Sequence, residues 1–258
     1  MPNYFTLNLM FSRKRITPDF IANTHQRIID SGFSFLGEHR WYDDDNENDF
    51  RKCVIDTPFP ELNAWNQAYL EKRLRLGFPK VDDVIYKHIL FQRDGYSELR
   101  GIWHDFGGSL HFNLITPEDD ILSHTEVQET GEEKQARFNE AAEMSARISA
   151  ARGRKITIHA EETIRKSSFI PEKLEPFIDL AQTFWNNGMV DAVQTEDEWI
   201  DPVYSLSDVI KGRGVWFCPF AIIPEVAFAR FPEGHFANTR IEKITNNGIY
   251  INKNNAEV

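Results

Sequence analysis

Apolar and polar residues alternate strictly at the start of the chain. Over residues 4–11 (YFTLNLMF), Phe5, Leu7, Leu9 and Phe11 fall on one side and Tyr4, Thr6, Asn8 and Met10 on the other. That period of two predicts a strand with at least one buried face. The period then lengthens. Thr17 as N-cap, Pro18 at the first helical position and Asp19 beside the positive end of the helix dipole predict a helix start. Phe20, Ile21, Thr24, Ile28 and Ile29 supply its buried stripe and Gly32 its stop. FSFL (33–36) reads as a second strand, so the chain opens as β-α-β.

Residues 38–49 (EHRWYDDDNEND) have no buried periodicity and read as an exposed acidic loop. Pro58 and Pro60 precede a predicted helix over 61–76, with Leu62, Trp65, Tyr69 and Leu76 near one face and Gly77 at its end. Three runs then predict a meander: 84–92, 96–104 and 109–116, joined by turns at Asp94-Gly95 and Gly107-Gly108. The polar stretch 116–131 marks a boundary, which divides the chain into 1–120 and 121–258. Beyond it the pattern predicts a charged helix over 132–151, a strand over 155–159 and a helix from Pro171 to Gly188. The last carries Leu174, Phe177, Ile178, Ala181, Phe184 and Trp185 on one face. A short helix over 205–211, apolar runs at 215–223 and 226–231, and a terminal hairpin turning at Asn246-Asn247-Gly248 complete the chain. Helices and strands mix without a regular βαβα rhythm. The expected fold class is α+β, two packed subdomains with antiparallel-rich sheets.

Composition narrows the function. The 258 residues carry 40 Asp+Glu against 29 Lys+Arg, a formal charge of -11. Such an acid excess speaks against nucleic acid as a partner, because phosphate neutralisation needs a cationic face. It speaks equally against anionic membrane surfaces. Every apolar run is shorter than the ~20 residues of a membrane span, and the expected location is cytoplasmic. The two cysteines, Cys53 and Cys218, read as buried free thiols, with one disulfide left open.

Sites for chemistry are sparse. His104, Asp105 and His111, or His159, Glu161 and Glu162, could be assembled into ligand sets, but neither has a spacing with a known mechanism. No metal and no cofactor are expected, and the histidines read as sheet-surface residues. Gly107-Gly108-Ser109 is explained by a turn, and Gly212-Arg213-Gly214 by entry to a strand. No nucleophile elbow, P-loop or dinucleotide fingerprint occurs. General acid catalysis requires a carboxyl whose pKa is raised by an apolar setting, whereas the acids here stand in runs that suggest solvated faces. The expectation is a protein that is not an enzyme.

What stands out is aromatic residues embedded in acid. Trp41 and Tyr42 abut Asp43, Asp44, Asp45, Glu47 and Asp49, while Trp199 follows Glu196, Asp197 and Glu198. Indole and phenol rings are the commonest interface anchors, and carboxylates speed encounter with a basic partner. These eleven residues are the expected partner-binding site.

The segments YFTLNLMFSRKR, WNQAYLEKR, WHDFGGSLHFNLI and FIDLAQTFWNNG, in this order, resemble the bacterial Immunity protein 52 family. The resemblance implies an α+β antitoxin that neutralises a cognate toxin with a basic surface. That toxin would be a restriction-endonuclease-like nuclease delivered by a secretion system such as type VI. The family brings no catalytic motif. Two other readings stay open: a hydrolase using carboxylates such as Asp105 or Glu162, and a secretion-system adaptor. Oligomeric state is left undetermined.

Overall fold

The first strand, β1 (Tyr4–Phe11), has every residue from Phe5 to Phe11 buried, so both of its faces are covered. The computed structural model describes residues 4–15, 20–40, 87–106, 108–126, 130–152, 165–197 and 204–253. After β1 come helix α1 (Phe20–Asp30) and strands β2 (Ser34–Arg40), β3 (Lys87–Gln92), β4 (Leu99–Phe106) and β5 (Ser109–Pro117). Strand β6 (Leu122–Glu126), helix α2 (Gly131–Arg152) and strand β7 (Arg165–Phe169) follow. Helix α3 (Pro171–Asn186) and strand β8 (Ala192–Asp197) return to the sheet that β1 began. The chain closes with α4 (Leu206–Ile210), β9 (Phe220–Pro224), α5 (Glu225–Phe228), β10 (Thr239–Ile244) and β11 (Gly248–Lys253).

Nine strands form one sheet in the order β10-β11-β9-β8-β1-β5-β4-β3-β2. Each neighbouring pair in it is antiparallel. The fold is therefore α+β. Helices α1 and α3 lie on one face, where Phe5 meets Phe177 at a centroid distance of 5.1 Å and Phe11 meets Phe20 at 4.9 Å. Edge-to-face ring pairs of this kind add to the area they bury. Gly101 is required here: a Cβ would stand 2.5 Å from Phe112 Cζ and 2.8 Å from Phe91 Cε2.

The chain divides into two compact units. The first holds the described residues up to Ile121 and from Phe169 onward; the second runs from Leu122 to Ser168. This differs from a division at residue 120, because β8 from the second half is hydrogen-bonded to β1 from the first. In the second unit β6 pairs with β7, and Ser123 Oγ lies 2.9 Å from Ser168 Oγ. Helix α2 opens on a capping box in which Thr130 N donates to Glu133 Oε2 at 2.9 Å and Glu133 N to Thr130 Oγ1 at 3.3 Å.

Three elements depart from the periodic reading. Glu38, His39 and Arg40 belong to β2, where they pair with Ile89, His88 and Lys87, and not to an exposed loop. Strand β7 was not expected over RKSSF, and neither was β8 over AVQTED. Residues 61–76 and 155–159, read as a helix and a strand, lie outside the described residues.

Candidate functional site: a polar sheet face

Strand alternation sends Phe5, Leu7, Leu9 and Phe11 toward the helices and Thr6, Asn8 and Met10 to the opposite face. Register extends that second face across the neighbouring strands. Glu196 stands opposite Thr6, Gln194 opposite Asn8, and Ala192 opposite Met10. On the other side Asn113 faces Asn8 and His111 faces Met10, with His104 next across from His111.

This face has two halves. Toward β9 and β11 it is apolar: Met10, Ala192, Ala221, Ile223, Ile249 and Ile251 pack with Leu206, Val209, Val215 and Phe236. Over β8, β1, β5 and β4 it is polar. Asn8 is 1% exposed, Asn113 7%, Glu196 8%, and His111 is fully buried. His104 is half-buried, with its Nε2 enclosed.

Among the described residues, Asn8 Oδ1 and Nδ2, Asn113 Oδ1, Glu196 Oε2, His111 Nδ1 and His104 Nε2 are enclosed with no hydrogen-bond partner. Leaving such an atom unpaired costs about 1–3 kcal/mol. The nearby Arg100 is committed, its Nε 2.6 Å from Glu98 Oε1 and its guanidinium 4.5 Å over the Tyr4 ring.

Burial governs ionisation here. Loss of hydration holds the His104 imidazole down to about 4. Desolvation first, then the neighbouring His104, brings His111 to about 3. The same desolvation pushes the Glu196 carboxyl up to about 7. Both rings are neutral at physiological pH, and Glu196 is divided between its acid and its anion.

One pairing has the look of a nucleophile and its base: Ser109 Oγ lies 2.8 Å from His111 Nε2. The same hydroxyl donates to the Phe106 carbonyl at 2.8 Å. With its proton committed there, Ser109 accepts from His111 Nε2–H, and Nδ1 is left as a bare lone pair. That polarity is the reverse of the one that activates a serine.

The ligand sets drawn from sequence do not assemble as triads. His104 and His111 face each other with ring centroids 5.2 Å apart, but Asp105 stands one step out of register, opposite Leu110. His159, Glu161 and Glu162 lie outside the described residues, among which no group of three metal-ligating side chains occurs. Cys218 is a half-buried free thiol, and Cys53 lies outside the described residues.

Of the expected partner-binding residues, Trp41, Tyr42, Asp43, Asp44, Asp45, Glu47, Asp49, Glu198 and Trp199 lie outside the described residues. Asp197 ends β8 opposite Phe5. Glu196 is a correction: it is buried on the polar face and is not a solvated carboxylate, because β8 carries it to the centre of the sheet.

Asn8, Asn113 and the buried His111 had no place in the reading of the sequence. A signal for them was present. Each asparagine sits mid-strand between large apolar residues, Leu7 and Leu9 or Phe112 and Leu114, where strand preference disfavours it. No family model matches the chain, and neither a curated protein nor a solved structure matches it.

Proposed function

We propose that this protein is an immunity protein, which binds and neutralises a cognate bacterial toxin in the cytoplasm of the cell that makes both. The observation that carries this reading is the acid excess, a formal charge of -11 over 258 residues. A nuclease must present a cationic groove to its substrate, and an acidic inhibitor complements that groove and is steered to it. The likeness to the Immunity protein 52 family adds support. Three of its four segments, on β1, the β4–β5 hairpin and α3, pack together: β1 pairs with β5, and Phe5 and Phe11 meet Phe177 and Phe184 of α3. Inhibition would act by covering or distorting the toxin's active site, with no chemistry by the inhibitor.

The test is a binding measurement against the toxin encoded next to this protein. A stable complex is expected whose association slows as salt rises. Replacing Asp43, Asp44, Asp45 and Glu47 with Asn or Ser should slow it by about tenfold. Absence of a complex refutes the reading; an unchanged association rate removes that loop from the interface.

One observation favours a second reading. Glu196 has the buried setting and the pKa of about 7 that a general acid needs, so a hydrolase centred on it is the alternative. A Glu196→Gln variant that still protects cells from the toxin would discard it.

A further inference from the structure

The polar half of the sheet face has a property that neutralisation does not call on. Asn8, Asn113 and His111 are each more than nine-tenths buried, and all three aim unpaired polar atoms into the same enclosed region. Their positions in the register place them within about 8 Å of one another. Glu196 and His104 extend the row at its two ends.

Where the chain itself covers this face, it pairs the polar atoms. Gln194 Nε2 donates to the Tyr204 carbonyl, and Gln194 Oε1 accepts from Trp216 N, each at 3.3 Å. One residue across, Asn8 has neither kind of partner.

We propose that Asn8, Asn113 and His111 form the centre of a binding site for a small uncharged polyhydroxyl molecule, a polyol or monosaccharide. The chemistry of the unpaired atoms selects that class. Asn8 and Asn113 offer carbonyl oxygens that only accept, Asn8 Nδ2 only donates, and His111 Nδ1 accepts because Nε2 donates to Ser109. A hydroxyl donates and accepts at once, so a ligand with several hydroxyls answers a mixed set at this spacing. An anion is disfavoured, since the nearest cation, Arg100, is held by Glu98 and Tyr4 while Glu196 lies close by. A metal ion would need ligands that no cluster among the described residues supplies. A hydrocarbon ligand would leave every one of these atoms unpaired. Ordered water is the rival occupant.

The test follows the side-chain amide resonances of Asn8 and Asn113 during titration of the isotope-labelled protein with myo-inositol and with D-glucose. Gln194, already paired, is the internal control. A saturable shift of both asparagines with at least one probe, and no shift of Gln194, is expected. Asn113→Leu should weaken that binding by about tenfold or more while the free protein melts at a higher temperature. His111→Gln, which retains a polar side chain, should weaken binding without the gain in melting temperature. If neither sugar moves the asparagine resonances, or if all three amides respond alike, water occupies the site and the proposal falls. The toxin takes no part in this experiment, so its outcome is independent of the neutralisation reading.

Discussion

Asn8 and Gln194 stand directly opposite each other in the sheet, on the same face, 1% and 0% exposed. Both carry a primary amide. Gln194 has its donor and acceptor answered by the backbone of Tyr204 and Trp216, whereas both polar atoms of Asn8 are unpaired. The difference lies in what covers each side. Over Gln194 runs the segment that holds α4 and Val215, which brings backbone groups as well as apolar packing. The polar half beyond Asn8 keeps its amides and imidazoles without such partners, although Leu or Val at those positions would suit a strand better. Stability alone does not account for such residues, and a binding role does.

The opposite face sets the scale against which this contrast is measured. Phe177 is fully buried and makes ring contacts with Phe5, Phe33 and Tyr96. Phe177→Ala should cost about 3–5 kcal/mol, read as a lower urea midpoint at unchanged slope. On the polar face the sign should reverse. Asn8→Leu removes two unpaired atoms and should raise stability by about 1–3 kcal/mol. A loss of stability in Asn8→Leu would show that Asn8 is paired in solution.

Acid and base should act on the polar half from opposite directions. For Glu196 the carboxyl is raised from 4.5 to about 7, so the folded state holds its proton more firmly than the unfolded chain. Stability from this group is complete below 4.5 and is lost as pH climbs through 7, by on the order of 3 kcal/mol in all. His104 and His111 are lowered from 6.5 to about 4 and about 3, so the unfolded chain binds protons first as pH falls. Their contribution is complete above 6.5 and is lost on the way down through those values. Stability should therefore peak in mildly acidic solution. Glu196→Gln should flatten the alkaline limb alone, and His104→Gln should shrink the acid limb alone. Equilibrium unfolding across pH distinguishes them.

Much of this architecture could be read from the sequence, for reasons that explain what could not. β1, the meander, α3 and the last hairpin each combine a clean period with a turn signal. Asn246 and Asn247, with φ of 54° and 53°, adopt the left-handed conformation that their turn requires. β8 lacks both marks. Its six residues run from Ala192 to Asp197 and end among acids, so local composition suggested a solvated stretch. Only pairing with β1 on one side and β9 on the other makes it central, and that information is not local. Glu196 was misread for the same reason: charge density along the chain says nothing of which strand lies alongside. His104 and His111 were seen as a pair of metal candidates, but their shared face depends on a register that spacing alone does not set.

The smallest expected effect tests whether the cover over the apolar half is held by its cap. Ser205 opens α4 with a capping box: Asp208 N donates to Ser205 Oγ, and Ser205 N and Oγ both donate to Asp208 Oδ2. Helix α4 has only five residues, too few to persist in water by itself, and it places Leu206 and Val209 in the apolar cluster. Ser205→Ala should cost about 1 kcal/mol. The Ser205 hydroxyl is also the foremost cause of the lowered Asp208 carboxyl, so the box is complete at neutral pH and opens as pH falls through that lowered value. The variant's deficit should therefore shrink in acid, where the parent protein has lost the same interaction. Tyr204 lies immediately before the cap and holds Gln194, so the Gln194 amide should exchange faster in the variant while that of Asn8 does not change. If Gln194 is unaffected, the apolar contacts of Leu206 and Val209 fix the cover without the cap. The difference between the two halves would then rest on packing alone.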